Sequence, residues 1–360
     1  MTAACWISQD WSANTYPLVP GGSAYYRMYL PSQACGVPST LGHPAWTLTD
    51  GFGVHDGRNP PTYGYDIAVI HGMMQSQVPY QIEKAKALGQ VIVSVVDDYY
   101  YDLPPTNVAY HTTDPATNPE RNRDIYRDAV LLADVIVVTT PFLLAFYRDE
   151  LKHPDVRMIR NGVLPAQFRH RTPIKRRPVL GWIGGIPWRA SDPQQLAAWL
   201  PDFLREHDLM FHHAGHTRTV RNVGIEYPSF AELVGIPADR ITTSPLVTFA
   251  QYPSMFTFDI GLIPLEPVPF NIAKSALKGL EYSMAGVPWV AQDLPEYQLL
   301  ALDGVGRVAR STDDWITHLT ELLDWRVRRD DERRNYRAVR ERHSVMARED
   351  EWRDLFADLT

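Results

Sequence analysis

The chain has 360 residues, which at roughly 100–200 residues per domain is enough for two cores. Hydrophobic residues make up 45% and charged residues 21%, a balance that excludes a disordered or fibrous chain. The 35 Lys and Arg stand against 42 Asp and Glu, a net charge of −7, so whole-surface attraction to nucleic acid or anionic lipid is excluded and any polyanion has to meet a local basic patch. Two cysteines, Cys5 and Cys35, lack the spacing of a zinc or redox site and are too few to staple the chain. The start of the chain has no signal-peptide pattern, and no run of about 18 apolar residues occurs, so a cytoplasmic protein without a transmembrane segment is expected.

In chain order, short β-branched apolar runs alternate with helical stretches, the pattern of buried parallel strands. Strands are predicted at Tyr65–Ile70, Val91–Val96 and Val135–Thr139, with helices at Gln77–Leu88, Asn122–Ala133 and Pro141–Leu151. Thr140-Pro141 supplies a cap and a first-turn proline for the last of these. Residues 163–178, basic and proline-bearing, read as a linker rather than a phosphate-binding patch. A second series follows, with strands at Val179–Ile183, Leu209–His213, Ile260–Leu265, Pro288–Ala291 and Val305–Val308. Its helices are expected at Pro193–Glu206, Ala273–Ala285 and Asp313–Asn335. The expected organisation is a first α/β unit over 1–164, a linker over 165–178, a second unit over 179–340, and a charged helix over 341–360 that packs back on the first. Ligands of such units bind in the crevice at the carboxyl ends of the strands.

Only six residues are lysines, and two of them, Lys274 and Lys278, stand four residues apart. On a helix beginning near Ala273, Lys274, Lys278 and Glu281 share one face just beyond a strand end, with the amide-rich N-terminus at the crevice. That arrangement suits a diphosphate on the lysines and a ribose on Glu281, because an ionised carboxylate only accepts hydrogen bonds. The alternative is a set of exposed helix-surface ion pairs.

The stretch "FDIGLIPLEPVPFNIAKSALKGLEYSMAGVPWVAQDLPEY" resembles the donor-binding region of retaining glycosyltransferases of family 4, which have the GT-B fold. "PGGSAYYRMYLP", "VIVSVVDDYYYDLP", "ADVIVVTTPFLLAFY", "VRMIRNGV" and "LGWIGGIPWR" resemble further parts of that family in the same order. The resemblance implies an α/β GT-B architecture of two facing Rossmann-like sheets, and a sugar moved from a UDP- or GDP-sugar with retention of configuration. It implies no required cofactor and no metal. Glu281 matches the family's ribose-contacting glutamate, while the partner glutamate eight residues earlier falls on Ala273 and is absent. Asn271, Lys274 and Ser275 surround that gap, with Glu266 a further candidate. Arg189 resembles the residue that holds the diphosphate, with Gly184 and Gly185 allowing close backbone approach.

In the first unit Gly21 and Gly22 resemble the glycine loop beneath the donor. Asp97 and Asp98 follow an apolar strand, so one carboxylate is expected in the crevice, and Arg27 and His71 are acceptor-side candidates. The expected catalytic set is Arg189, Lys274, Lys278, Asp97 and Asp98. His212, His213 and His216 do not read as a metal site, because neighbours on a strand face opposite sides. A nucleotide-sugar epimerase and a non-catalytic binding module are the alternatives. No G-x-G-x-x-G follows the early strands, which disfavours a dinucleotide oxidoreductase. The acceptor is left open among a glycan, a lipid-linked glycan, a protein and a modified nucleic acid.

Overall fold

A computed structural model describes residues 2–10, 20–42, 65–168, 177–215 and 224–359. Among the described residues twelve strands form two six-stranded sheets with every pairing parallel. The first contains β1 (Ala4–Ser8), β2 (Ser39–Gly42), β3 (Ile67–His71), β4 (Val91–Val96), β5 (Val135–Val138) and β6 (Val156–Met158), in the order β2-β1-β3-β4-β5-β6. The second contains β7 (Val179–Ile183), β8 (Met210–Ala214), β9 (Ile241–Ser244), β10 (Ile260–Ile263), β11 (Trp289–Gln292) and β12 (Arg307–Ala309), in the order β12-β11-β10-β7-β8-β9. In each sheet the winding direction reverses, between β1 and β3 and between β7 and β10, and such reversals open a crevice at the strands' carboxyl ends.

The central strands β1, β3, β5 and β10 are buried at every residue, as expected of a parallel sheet covered on both faces. The flanking helices used below are α1 (Val78–Ala87), α2 (Asn122–Leu131), α3 (Leu200–Glu206), α4 (Leu277–Met284), α5 (Pro295–Leu302), α6 (Thr312–Leu323), α7 (Trp325–Arg342) and α8 (Glu349–Asp358). Residues 22–34 form a continuous helical run whose middle, Tyr25–Tyr29, is π-wound. The helix expected at Asp313–Asn335 is two, α6 and α7, because Asp324 leaves helical geometry and its carboxylate caps the Arg326 amide at 2.8 Å.

The end of the chain returns to the first sheet. On α8, Phe356 stacks on Trp6 of β1 at 5.5 Å between ring centroids, Trp352 tilts against it at 5.8 Å, and Asp358 accepts a hydrogen bond from Arg157 of β6 at 2.7 Å. Val163 and Val345 run side by side, with the Val345 amide donating to the Val163 carbonyl at 2.9 Å. Most of the predicted linker, 169–176, lies outside the described residues, as does His216. Among the described residues no helix is long and apolar enough to cross a membrane.

Candidate functional site

The carboxyl ends of the two sheets face each other across a cavity of ≈ 480 Å³, within the usual size of small-molecule sites. The first sheet contributes Gly21 and Gly22 after β1, Asp97 and Asp98 after β4, and Asn161. The second contributes Gly184, Gly185 and Arg189 after β7, Leu265 after β10, and Lys274, Ser275, Lys278 and Glu281. All of these but Asn161 and Leu265 are candidates named from the sequence, and Arg27 lines the same cavity.

Two glycines are required by close approach. A Cβ on Gly21 would lie 2.2 Å from the Asp10 carboxylate, which instead accepts the Ala24 amide at 3.0 Å and fixes the start of the helical run. A Cβ on Gly184 would lie 2.2 Å from the Trp182 ring, while the Gly184 carbonyl accepts from His213 Nε2 at 3.0 Å. His213, its basicity lowered to about 4 by burial, is thus a neutral donor stacked on Trp182, and His212 is engaged by Thr242 and Ser244. Among the described residues no group of three His, Cys, Asp or Glu is placed to hold a metal ion.

The expected single helix over Ala273–Ala285 is corrected. A short helix, Pro269–Ile272, ends at Ala273, and α4 begins only at Leu277. Lys274 therefore lies in the break and does not share a helix face with Lys278 and Glu281. It reaches across the cleft to form an ion pair with Asp98, its ammonium 4.0 Å from the Phe270 ring centre. The Ala273 carbonyl accepts from Thr140 Oγ at 2.9 Å, and its methyl is fully buried against residues following β5, so this position is welded to the first sheet. Ser275 accepts from Asn161 Nδ2 at 2.8 Å, a second polar contact across the cleft.

Lys278 and Glu281 are one turn apart on α4, with Nζ 3.0 Å from Oε2. The pair is not a solvated surface pair, since Glu281 is 4% exposed. Its Oε2 also accepts from Tyr252 at 2.7 Å, and its Oε1 accepts from Tyr26 of the first sheet's side at 2.9 Å. Lys278 donates further to Tyr252 at 2.9 Å. Burial lowers the Lys278 ammonium's pKa although the Glu281 charge opposes the shift.

Arg189 lies on the wall, 3.9 Å from the Asp192 carboxylate. Burial pushes Asp192 up to about 6 despite Arg189, the Glu266 amide and Asn271. Asn271 spends its amide on Asp192 at 2.7 Å and on the Glu266 carbonyl at 2.9 Å and is not among the lining residues, so its expected donor contact is replaced by a bracing role.

On the opposite wall Arg27 is almost wholly buried, donating to the Ile159 carbonyl at 2.9 Å and to Asn161 at 3.2 Å, with its guanidinium over Trp352. His71 does not line the cavity. It bridges Ser8 Oγ at 2.8 Å and Asp97 Oδ1 at 3.0 Å, and so positions Asp97 rather than meeting a ligand. Burial alone would raise Asp97, but the His71 charge, hydrogen bonds from His71 and Ser23, and Arg27 hold it far below the usual carboxylate range. Burial would likewise lower His71, and Asp97 outweighs it, so His71 titrates above its ordinary value.

The signs fix a pH dependence. A raised His71 contributes stability that is complete below its unfolded pKa, about 6.5, and is lost as pH rises through the folded value. The depressed Asp97 contributes above about pH 3.9 and loses that contribution only in acid. Denaturant unfolding of wild type and His71→Gln from pH 5 to 9 is expected to show the largest wild-type advantage at the acid end, shrinking toward pH 9. A pH-independent difference would contradict the ionised pair.

Nothing in the sequence points to Tyr252, Asn161 or Trp188, all of which line the cavity with Tyr26. Tyr252 sits in a proline-containing 3-10 segment, Phe249–Met255, with no periodic signal, and Tyr26, in a tyrosine cluster that suits sugar stacking, instead donates to Glu281.

No protein-family model and no curated protein sequence matches the chain. Solved structures do. A sucrose-phosphate synthase from Thermosynechococcus elongatus is 14% identical with a TM-score of 0.70, the match covering 100% of this chain and 99% of that one. HepE of Anabaena in complex with UDP-glucose is 12% identical with a TM-score of 0.63, covering 99% of this chain and 100% of that one. WaaG, a glycosyltransferase involved in lipopolysaccharide biosynthesis, is 13% identical with a TM-score of 0.59, covering 99% of each chain. Along its whole length the chain has the GT-B fold that these structures share, two parallel α/β sheets facing each other across a cleft.

Proposed function

We propose that this protein is a glycosyltransferase that moves a sugar from a nucleoside diphosphate sugar to an acceptor hydroxyl with retention of anomeric configuration. The observation that carries the reading is the single cleft in which Glu281, Lys278, Arg189 and the Gly184-Gly185 turn converge opposite Asp97, Asp98 and the Gly21-Gly22 loop. The fold is that of HepE, which was crystallised with UDP-glucose, and a UDP-sugar is the donor to test first. GDP-sugars are the second choice. The organisation that accompanies the reading is a unit over 1–164, a linker over 165–178, a unit over 179–340 and a returning tail over 341–360, supported by one sheet in each unit and by the contacts of α8 with β1.

In this reading Glu281 accepts from the ribose and the diphosphate lies between Lys278 and Arg189, against the Gly184-Gly185 backbone. The bond from the anomeric carbon to the phosphate oxygen breaks, and the developing negative charge on the diphosphate is stabilised by cations already in place. The acceptor oxygen bonds to the same face of the anomeric carbon, and its proton passes to the departing phosphate oxygen. Asp97, held ionised by His71, orients the acceptor hydroxyl by accepting a hydrogen bond from it. The Asp98–Lys274 pair ties the two walls together and brings the reactants into register.

The test is incubation with UDP- and GDP-sugars and panels of glycan, lipid-linked, protein and nucleic acid acceptors, followed by NMR of the product's anomeric proton. Transfer with the donor's configuration supports the reading, inversion removes the retention claim, and an interconverted nucleotide sugar would identify an epimerase.

A further inference from the structure

The Glu281 carboxylate is three-quarters filled by the protein itself. An ionised carboxylate offers about four acceptor sites, two on each oxygen. Oε2 is filled by Tyr252 at 2.7 Å and Lys278 at 3.0 Å, and Oε1 already accepts from Tyr26 at 2.9 Å. One site is left, on Oε1. A ribose presents two adjacent hydroxyls, so in this arrangement the carboxylate can take one of them and not both.

The three donors are not equally committed. The Tyr252 hydroxyl donates to Glu281 while accepting from Lys278, and its ring lies parallel to Phe249 at 5.5 Å with planes 8° apart. Lys278 stands three residues before Glu281 on the same helix, so its ammonium stays within reach of the carboxylate while it also faces the cavity. Among the described residues the Tyr26 hydroxyl hydrogen-bonds to Glu281 alone, and it comes from the opposite side of the cleft, 255 residues away in sequence. Burial and the nearby Glu281 charge raise Tyr26 well above the ordinary tyrosine range, so it remains a hydroxyl that donates.

We infer that Tyr26 and the donor ribose compete for Oε1 of Glu281, and that Tyr26 therefore determines whether the site reads one ribose hydroxyl or two. The inference rests on the proposed nucleotide site. With Tyr26 seated, Glu281 recognises a single hydroxyl; when Tyr26 withdraws, both sites on Oε1 are open to the 2′- and 3′-hydroxyls. Tyr26 is thus a specificity-determining residue supplied by the first sheet to a site otherwise built on the second. Because it lies on the helical run that begins at Gly22, its release also links occupation of the nucleotide site to the glycine loop facing it.

The test is titration calorimetry of wild type, Tyr26→Phe and Tyr252→Phe with UDP and 2′-deoxy-UDP, with circular dichroism and thermal melting of each variant. Tyr26→Phe keeps the ring that packs near Phe249 and removes only the hydroxyl. Wild type is expected to prefer UDP over 2′-deoxy-UDP less than about threefold, since the one open acceptor site can be filled by the 3′-hydroxyl of either nucleotide. Tyr26→Phe is expected to bind UDP about five- to tenfold more tightly, with little gain for 2′-deoxy-UDP, and Tyr252→Phe to bind both more weakly. UDP affinity in Tyr26→Phe equal to or below wild type, or an equal gain for both nucleotides, would overturn the inference. Should Tyr26→Phe not fold, a wild-type preference for UDP above about twentyfold would overturn it alone. If wild type binds UDP and GDP not at all, it is the nucleotide-site reading that fails, and the competition with it.

Discussion

Glu281→Ala is expected to cost the protein both its nucleotide affinity and a measurable share of its stability. Removing the carboxylate takes away the proposed ribose acceptor, and hydrogen bonds to a charged group contribute about 1.5–3 kcal/mol each, so nucleoside diphosphate binding should weaken roughly 10- to 100-fold. At the same time the hydroxyls of Tyr26 and Tyr252 and the ammonium of Lys278 lose a shared acceptor in a site that is 4% exposed at Glu281. Leaving a buried partner uncompensated costs about 3 kcal/mol. Denaturant unfolding separates this from the binding effect, and Glu281→Gln, which keeps one carbonyl acceptor, should fall between. A Glu281→Ala variant as stable as wild type would contradict the hydrogen-bonded cluster whatever the nucleotide result.

Lys278→Ala is expected to lower kcat/KM at least tenfold. Its Nζ sits between Tyr252 and Glu281 with part of its surface open to the cavity, so in the apo site it is neutralised by Glu281. A diphosphate brings more negative charge than one carboxylate, and as the sugar leaves, that charge grows. The ammonium is therefore worth most in the transition state, and the loss should appear mainly in kcat. Lys278→Arg should recover only part of it, because a planar guanidinium does not reproduce the compact contact with both Tyr252 and Glu281. A change confined to KM would place Lys278 in ground-state binding instead.

Much of the fold was legible because the buried strands are continuous β-branched runs. Val91–Val96 and Val179–Ile183 were read with the bounds they have. β1 was not recognised, since "ACWIS" mixes small, aromatic and polar residues, and the edge strands β6 and β9, "VRM" and "ITTS", are too short and polar to announce themselves. For the candidate site, Glu281, Lys278, Arg189, Asp97 and the glycine turns, where chemistry and strand ends coincide, all line one cavity.

What the sequence did not carry was anything decided by distant partners. The helix predicted through Lys274 breaks where Thr140 takes the Ala273 carbonyl and Asp98 draws Lys274 across the cleft, contacts 133 and 176 residues apart. Asn271 looked like a donor contact until the buried Asp192, 79 residues away, claimed its amide. His71 faces Ser8 and Asp97 instead of a ligand for the same reason. A periodic pattern reports which face of an element is buried, and cannot report which polar group on another element will meet it.

A nucleoside diphosphate in this cleft would rest its ribose on Glu281. Titration calorimetry of the purified protein with UDP and GDP, repeated on Glu281→Ala, tests it most directly. One site of about micromolar affinity for one of the two nucleotides is expected, weakened at least tenfold in the variant. No binding of either nucleotide, or the same affinity with and without the Glu281 carboxylate, would contradict it.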